Sequence, residues 1–318
     1  MHSAQKHHSP LDLAPAEELA GMSQLVRNKT LSQVGWALLF LAPNFILVVL
    51  FTFIPAIAGL GLSLTEWDVF SPAKFIGLDN FVGLLGDGNF WIALRNTFVY
   101  TFATVPIGMA GSLAIAVVLN RRLPGTLAFR TVFFIPVIMS GVLVSLTWQW
   151  LLNADYGPIN YALAQVGIQG PKWLNDPRWA LVAVMMVTIW KSLGFNMVIF
   201  LAALQGVPRQ LYDAAKIDGA DGWKEFRHVT VPMITAPMFF ALLISIINSF
   251  GVFDLVYMMT SGGPGRSTSV MVQYIYENAF KYFQMGYASA IAMVFFAVIL
   301  FFTLIQWYLR HRWVYGEE

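Results

Sequence analysis

The sequence predicts an all-α integral membrane protein with six transmembrane helices. Three observations carry that reading. Of 318 residues, 58% are hydrophobic and only 11% are Asp, Glu, Lys or Arg, where a soluble domain carries roughly 25% charged residues. Mean hydropathy is +0.64. Six apolar stretches, 34–64, 97–119, 129–151, 179–204, 235–259 and 287–309, have the length a helix needs to cross a bilayer. So few charges could not cover a soluble enzyme of this size, and disorder requires low hydrophobicity. A net charge of +2 gives no footprint for nucleic acid. The absence of Cys removes disulfides, thiol chemistry and Cys-based metal sites.

Residues 1–33 read as a polar, mostly disordered cytoplasmic tail. His7 and His8 have no third ligand nearby and read as surface residues. The apolar run that follows starts too late and is too long for a cleaved signal peptide. It is expected to stay as the first span, kinked at Pro43 and Pro55. The loops 65–96 and 152–178 contain Trp67, Trp91 and Trp173, and Trp179 follows; tryptophans at span ends sit at headgroup level. The tail, the loops after the second and fourth spans and the C-terminal end carry twelve Lys and Arg, against six on the opposite side. The positive-inside rule then puts both termini in the cytoplasm. The expected division is a tail over 1–33, the first helix and outer loop over 34–96, a five-helix core over 97–310 and a cytoplasmic end over 311–318.

The loop at 207–233 is the most instructive segment. Pro208 suits the first turn of a helix, and Leu211, Ala214, Ala215 and Ile217 make an apolar face at helical spacing. Asp218-Gly219-Ala220-Asp221-Gly222 ends that helix, because Gly permits a sharp turn. A second helix is expected from Gly222 to Val229, and Pro232 opens the fifth span. Two adjacent alanines leave little bulk, so a partner surface can approach the backbone. Short helices of this kind suit a groove on a soluble partner. The plain alternative is an interfacial connector.

Asp213-Ala214-Ala215, then Gly219, then Val229-x-Val231-Pro232 resembles the EAA loop of binding-protein-dependent ABC transporter permeases, whose pattern is Glu-Ala-Ala, Gly, Ile-x-Leu-Pro. Asp213 replaces the family's Glu and shortens the acidic side chain by one methylene. Further stretches resemble the carbohydrate (maltose/glycerol-phosphate-like) branch: Ile76-Gly77-Leu78-Asp79-Asn80-Phe81, Phe129-Arg130-Thr131-Val132-Phe133-Phe134-Ile135-Pro136, Phe250-Gly251-Val252-Phe253-Asp254, and the run from Thr260 through Gly262-Gly263-Pro264-Gly265 to Thr268. The resemblance implies the ABC type I importer permease (MetI-like) fold. It also implies a bacterial or archaeal cytoplasmic membrane location, a second homologous permease, two copies of an ABC ATPase and an extracytoplasmic solute-binding protein. The implied ATPase-coupling residues are Tyr212, Asp213, Ala214, Ala215, Asp218, Gly219 and Pro232. No phosphate-binding loop motif occurs, so this chain is expected to bind no cofactor itself. ATP and Mg belong to the partner ATPase.

Charged residues inside spans are costly, at about 2.5–3.5 kcal/mol, and point to function. Lys191 and Asp254 are the charged candidates for a substrate path, either paired with each other or each facing a water-filled route. Asn196 and Asn248 add uncharged hydrogen-bonding groups; Trp190 and Tyr257 offer rings for a sugar face. The plain alternatives are headgroup contact for Asp254 and snorkelling or helix-tying for Lys191. The leading expectation is a permease subunit of an ATP-driven importer for a carbohydrate or polyol. A non-carbohydrate solute is the alternative. A stand-alone secondary transporter would need inverted repeats and transport without an ATPase. An intramembrane metalloenzyme would need His within spans, and all five lie outside them.

Overall fold

The computed structural model describes residues 33, 36–121 and 124–313, the side chains of 311–313 excepted. The expected tail, with His7 and His8, falls outside these residues apart from Gln33, and so do residues 314–318. The chain divides into two compact units, Met1–Gly59 and Leu60–Glu318.

Helix α1 (Trp36–Leu62) is apolar all round. It carries Pro43 without interruption but widens to a π-helical segment at Val49–Phe53. Pro55 follows that segment by two residues, and its missing N–H and its ring displace the Phe51 carbonyl from an ordinary ladder. The same device recurs before Pro232, at Phe226–Thr230.

A two-residue hairpin, β1 (Thr65–Glu66) against antiparallel β2 (Lys74–Phe75), leads to α2 (Asp79–Gly86). Helix α3 (Gly88–Leu119) then runs 32 residues, about 48 Å. The expected outer loop 65–96 is therefore shorter than the sequence implies. Asp87 caps α3 through Asn89 N at 2.9 Å, and the helix begins nine residues before the apolar run does.

The third expected span is broken. Helix α4 (Thr126–Ile138) and α5 (Gly141–Leu151) meet at 102° across Met139 and Ser140. The apolar run continues through the break, so hydropathy alone reads one helix where there are two. Next come α6 (Pro158–Gln165) and the long α7 (Ala180–Gln205), then two short helices, α8 (Arg209–Ile217) and α9 (Gly222–Met233). Helix α9 bends by 69° into α10 (Thr235–Phe250). The fifth expected span also ends early: α10 stops at Phe250 and α11 (Asp254–Thr260) starts afresh after three residues. Helix α12 (Met271–Tyr276) and α13 (Met285–Trp313) complete the chain. Among the described residues, four helices are long and apolar enough to cross a membrane unaided, and six crossings result if each bent pair counts as one.

Helix α3 packs along α7. Gly108, Ser112 and Ala116, spaced by four, place a buried small-residue stripe on α3, and Ser112 Oγ donates to the Leu193 carbonyl of α7 at 3.0 Å. Lipid tails are as apolar as leucine, so such close packing and hydrogen bonding hold membrane helices together. One buried cluster forms around Tyr100, Val184, Leu255 and Val256. Another, around Ala116, Phe200, Leu204 and Ile234, lies toward the α8–α9 end of α7.

Candidate functional site

Between those two clusters, part-way along α3 and α7, lies a cavity of about 370 Å³. Helix α3 contributes Tyr100, Thr104 and Gly108; α7 contributes Thr188, Lys191, Ser192, Phe195 and Asn196; α10 contributes Ser245, Asn248 and Ser249. Spacings of three and four residues put each set on one helical face. Asp254 enters from the first turn of α11. Both chain breaks converge here: Val137 and Gly251 line the cavity, and a Cβ on Gly141, the first residue of α5, would overlap the Asp254 carboxylate. Asp254 thus lies against the start of a helix, where a negative charge is favoured, and lines the cavity.

The hydroxyl groups of this lining are satisfied by one another or by backbone carbonyls. Tyr100 OH donates to Thr188 Oγ1 at 2.7 Å, Thr104 Oγ1 to the Tyr100 carbonyl at 2.7 Å, and Ser249 Oγ to Thr101 Oγ1 at 3.1 Å. Asn196 Nδ2 donates to Ser245 Oγ at 3.2 Å. Lys191 and Asn248 have no such partner among the described residues, and Lys191 and Asp254 form no ion pair. Asp254 Oδ1 accepts from Leu255 N, leaving Oδ2 without a hydrogen bond. An ammonium, an amide and a carboxylate oxygen therefore face one cavity unpaired, a lining suited to a solute rich in hydrogen-bonding groups.

Trp190 and Tyr257 do not line this cavity. Trp190 packs edge-on against Trp148 at 5.4 Å. Tyr257 stacks on Phe253 at 5.1 Å, under the Lys281 ammonium. Tyr100, Thr104, Thr188, Ser192, Ser245 and Ser249 were not singled out in the sequence. A search of the spans for polar residues spaced by four finds 100/104, 188/192 and 245/249.

The loop at 207–233 is a self-contained unit. Pro208 is the N-cap of α8, and Gly219 follows its C-cap with φ +75°. Ala220 N donates to the Ala215 carbonyl at 2.9 Å and Gly219 N to the Lys216 carbonyl at 3.0 Å, the paired bonds of a Schellman ending. Asp221 caps α9 through Lys224 N at 2.8 Å. Tyr212 OH and Thr230 Oγ1, 3.1 Å apart, tie α8 to α9. Helix α9 runs past the expected end at Val229 to Met233, because the π segment accommodates Pro232. Leu211, Ala214, Ala215, Asp218, Gly219 and Val229 line a groove of about 380 Å³. Ile217 is a correction: at 100° per residue it falls off the Leu211–Ala214–Ala215 face, and it stands 87% exposed. Trp223 is 68% exposed, and Asp213 is exposed with no partner among the described residues.

At the opposite end of the fold, Asp87 accepts hydrogen bonds from the Tyr274 and Tyr287 hydroxyls, the latter at 2.7 Å. Burial pushes its carboxyl up, but these hydroxyls and the Asn89 and Phe90 N–H groups outweigh that, and the net direction is down. Burial, with Asp87 beside it, pushes the Tyr274 hydroxyl up to about 12.

Broken helices around a polar cavity, in a domain built of membrane-crossing helices, define a polytopic transport permease. Residues 96–315 match the family described as binding-protein-dependent transport system inner membrane component, and the chain belongs to that family. It is 38% identical over 301 residues to the probable ABC transporter permease protein YesP of Bacillus subtilis (strain 168), covering 93% of this chain and 96% of that one. It is 35% identical over 276 residues to the sulfoquinovosyl glycerol transport system permease protein SmoG of Agrobacterium fabrum strain C58, covering 86% and 89%. A crystal structure of a bacterial ABC transporter involved in alginate import shares the fold, with TM-score 0.78 and 24% identity over 91% of this chain and 99% of that one.

Proposed function

We propose that the chain is a permease subunit of an ATP-driven importer for a carbohydrate or polyol-type solute. The single observation that carries the coupling half is the α8–α9 unit. Its helix ends are capped within the unit, while its groove and the exposed Ile217 and Trp223 are left for another protein. Two copies of an ABC ATPase would seat on this unit and its counterpart in a second homologous permease. Closure of the ATPases would drive the membrane domains between two access states. ATP and Mg stay on the ATPase. An extracytoplasmic binding protein delivers the solute, both termini lie in the cytoplasm, and the complex sits in the cytoplasmic membrane of a bacterium or archaeon.

The solute class is supported by the relatives, among them permeases named for sulfoquinovosyl glycerol, lactose and trehalose/maltose. The cavity agrees, since neutral hydroxyl and amide groups outnumber its two charges. Lys191, Asn248 and Asp254 would hold solute directly, with Asn196 ordering its neighbour Ser245. Trp190 and Tyr257, set back from the cavity, would reach solute only along its approach. The test is reconstitution of this chain with the partner subunits encoded beside it, followed by uptake of labelled sugars. ATP-dependent uptake that requires the binding protein is the expected result; uptake by this chain alone would overturn the proposal.

A further inference from the structure

The proposed path leaves one large cleft unused, where the far end of α5 meets the end of α11. It encloses about 600 Å³. Trp150, 56% exposed, and Tyr156, 69% exposed, give it two aromatic faces. Trp150 Nε1, the Tyr156 hydroxyl, the Lys172 ammonium and the Asn175 amide make no hydrogen bond to the described residues. No Asp or Glu lines the cleft. Its walls are fastened together, because Gln149 Nε2 donates to the Met258 and Met259 carbonyls at 2.6 and 3.1 Å. The same two helices reach the central cavity with their other ends, where Gly141 meets Asp254. From Gly141 to Trp150, α5 rises about 14 Å.

Exposed rings take the C–H faces of a sugar, while amide, indole and ammonium donors take its hydroxyl or carboxylate oxygens. We infer that this cleft is a second saccharide subsite. It holds the outer end of an oligosaccharide whose inner end reaches Asn248 and Lys191. This rests on the carbohydrate reading and adds a preference for chains over single rings.

The full-length chain in lipid nanodiscs, probed by saturation-transfer NMR with maltotriose, raffinose and trimannuronate, tests it. At least one trisaccharide is expected to give a signal, and the double variant Trp150→Ala/Tyr156→Ala to reduce it about fivefold or more. Both side chains are exposed, so the variant should unfold at the wild-type temperature. A signal that the double variant leaves unchanged, or no signal from the wild type with any of the three, overturns the subsite. Sugar uptake by the reconstituted complex judges the carbohydrate reading separately: uptake that persists while the cleft proves inert sinks only the subsite.

Discussion

The α8–α9 unit and the central cavity are opposites in how they treat polar groups. In the unit, caps, a Schellman ending and the Tyr212–Thr230 pair satisfy the helix ends locally, and what remains exposed sets the apolar Ile217 and Trp223 among charged side chains such as Asp213, Lys216 and Lys224. In the cavity, the helices are held by small residues and shared hydroxyls, and what remains exposed is an unpaired ammonium, amide and carboxylate oxygen. The first arrangement, on the proposed reading, is a part that the ATPase surface pushes. The second, on the proposed reading, is an incomplete site that a polar solute completes.

The largest effect that separates the two regions is expected at the cavity. Asn248→Leu removes an unpaired amide without leaving another group stranded, so folding should be unaffected while uptake falls roughly tenfold to a hundredfold. ATPase co-purification should stay at the wild-type level. Loss of both together would break the distinction.

Next comes Gly219→Val. A β-branched residue at φ +75° costs roughly 1–2 kcal/mol or more in the left-handed region. No atom stands within 4 Å of the site, so the strain is local. Uptake and ATPase co-purification should drop together, while binding of sugar to the membrane domain persists.

A smaller change is Tyr212→Phe, which loses the bond to Thr230, worth about 1 kcal/mol. The expected result is a modest fall in ATP-driven uptake and faster amide exchange in α8, with none in α7.

Smallest is the pH effect at Asp87, remote from both regions. Its folded carboxyl lies below the ordinary 3.8, so its stabilisation is complete at neutral pH and is lost as pH falls through the folded value. Between about pH 5 and pH 3, wild-type thermal stability should fall more steeply than that of Asp87→Asn. Parallel curves would remove Asp87 as a latch on α3, α12 and α13.

The same contrast explains what was legible in the sequence. The α8–α9 unit is contiguous, and its signals are local: Pro208, the Ala pair, Gly219 and Pro232 each act within a few residues, so the two-helix outline could be read directly. Ile217 falls one helix face away from its expected place, and the second helix runs on past Val229 to Met233. The cavity is assembled from five elements separated by up to about 150 residues, and its hydroxyls lie in runs that hydropathy scores as spans. Lys191, Asn196, Asn248 and Asp254 stood out as costly polar residues, but their convergence depends on helix packing. The breaks at Met139–Ser140 and Gly251–Phe253 escaped because apolar residues continue through them; Gly141 and Gly251 were the only local marks.

The sequence contains no Cys, so a single Ile217→Cys reports from one place. Cross-linking this variant in native membranes, with a reagent that bridges thiols to amines, tests the coupling claim most directly. The account predicts one adduct with the mass of this chain plus an ABC ATPase subunit, lost on stripping the membranes of peripheral proteins. Adducts with lipid alone, or none while the wild-type complex transports, would contradict it.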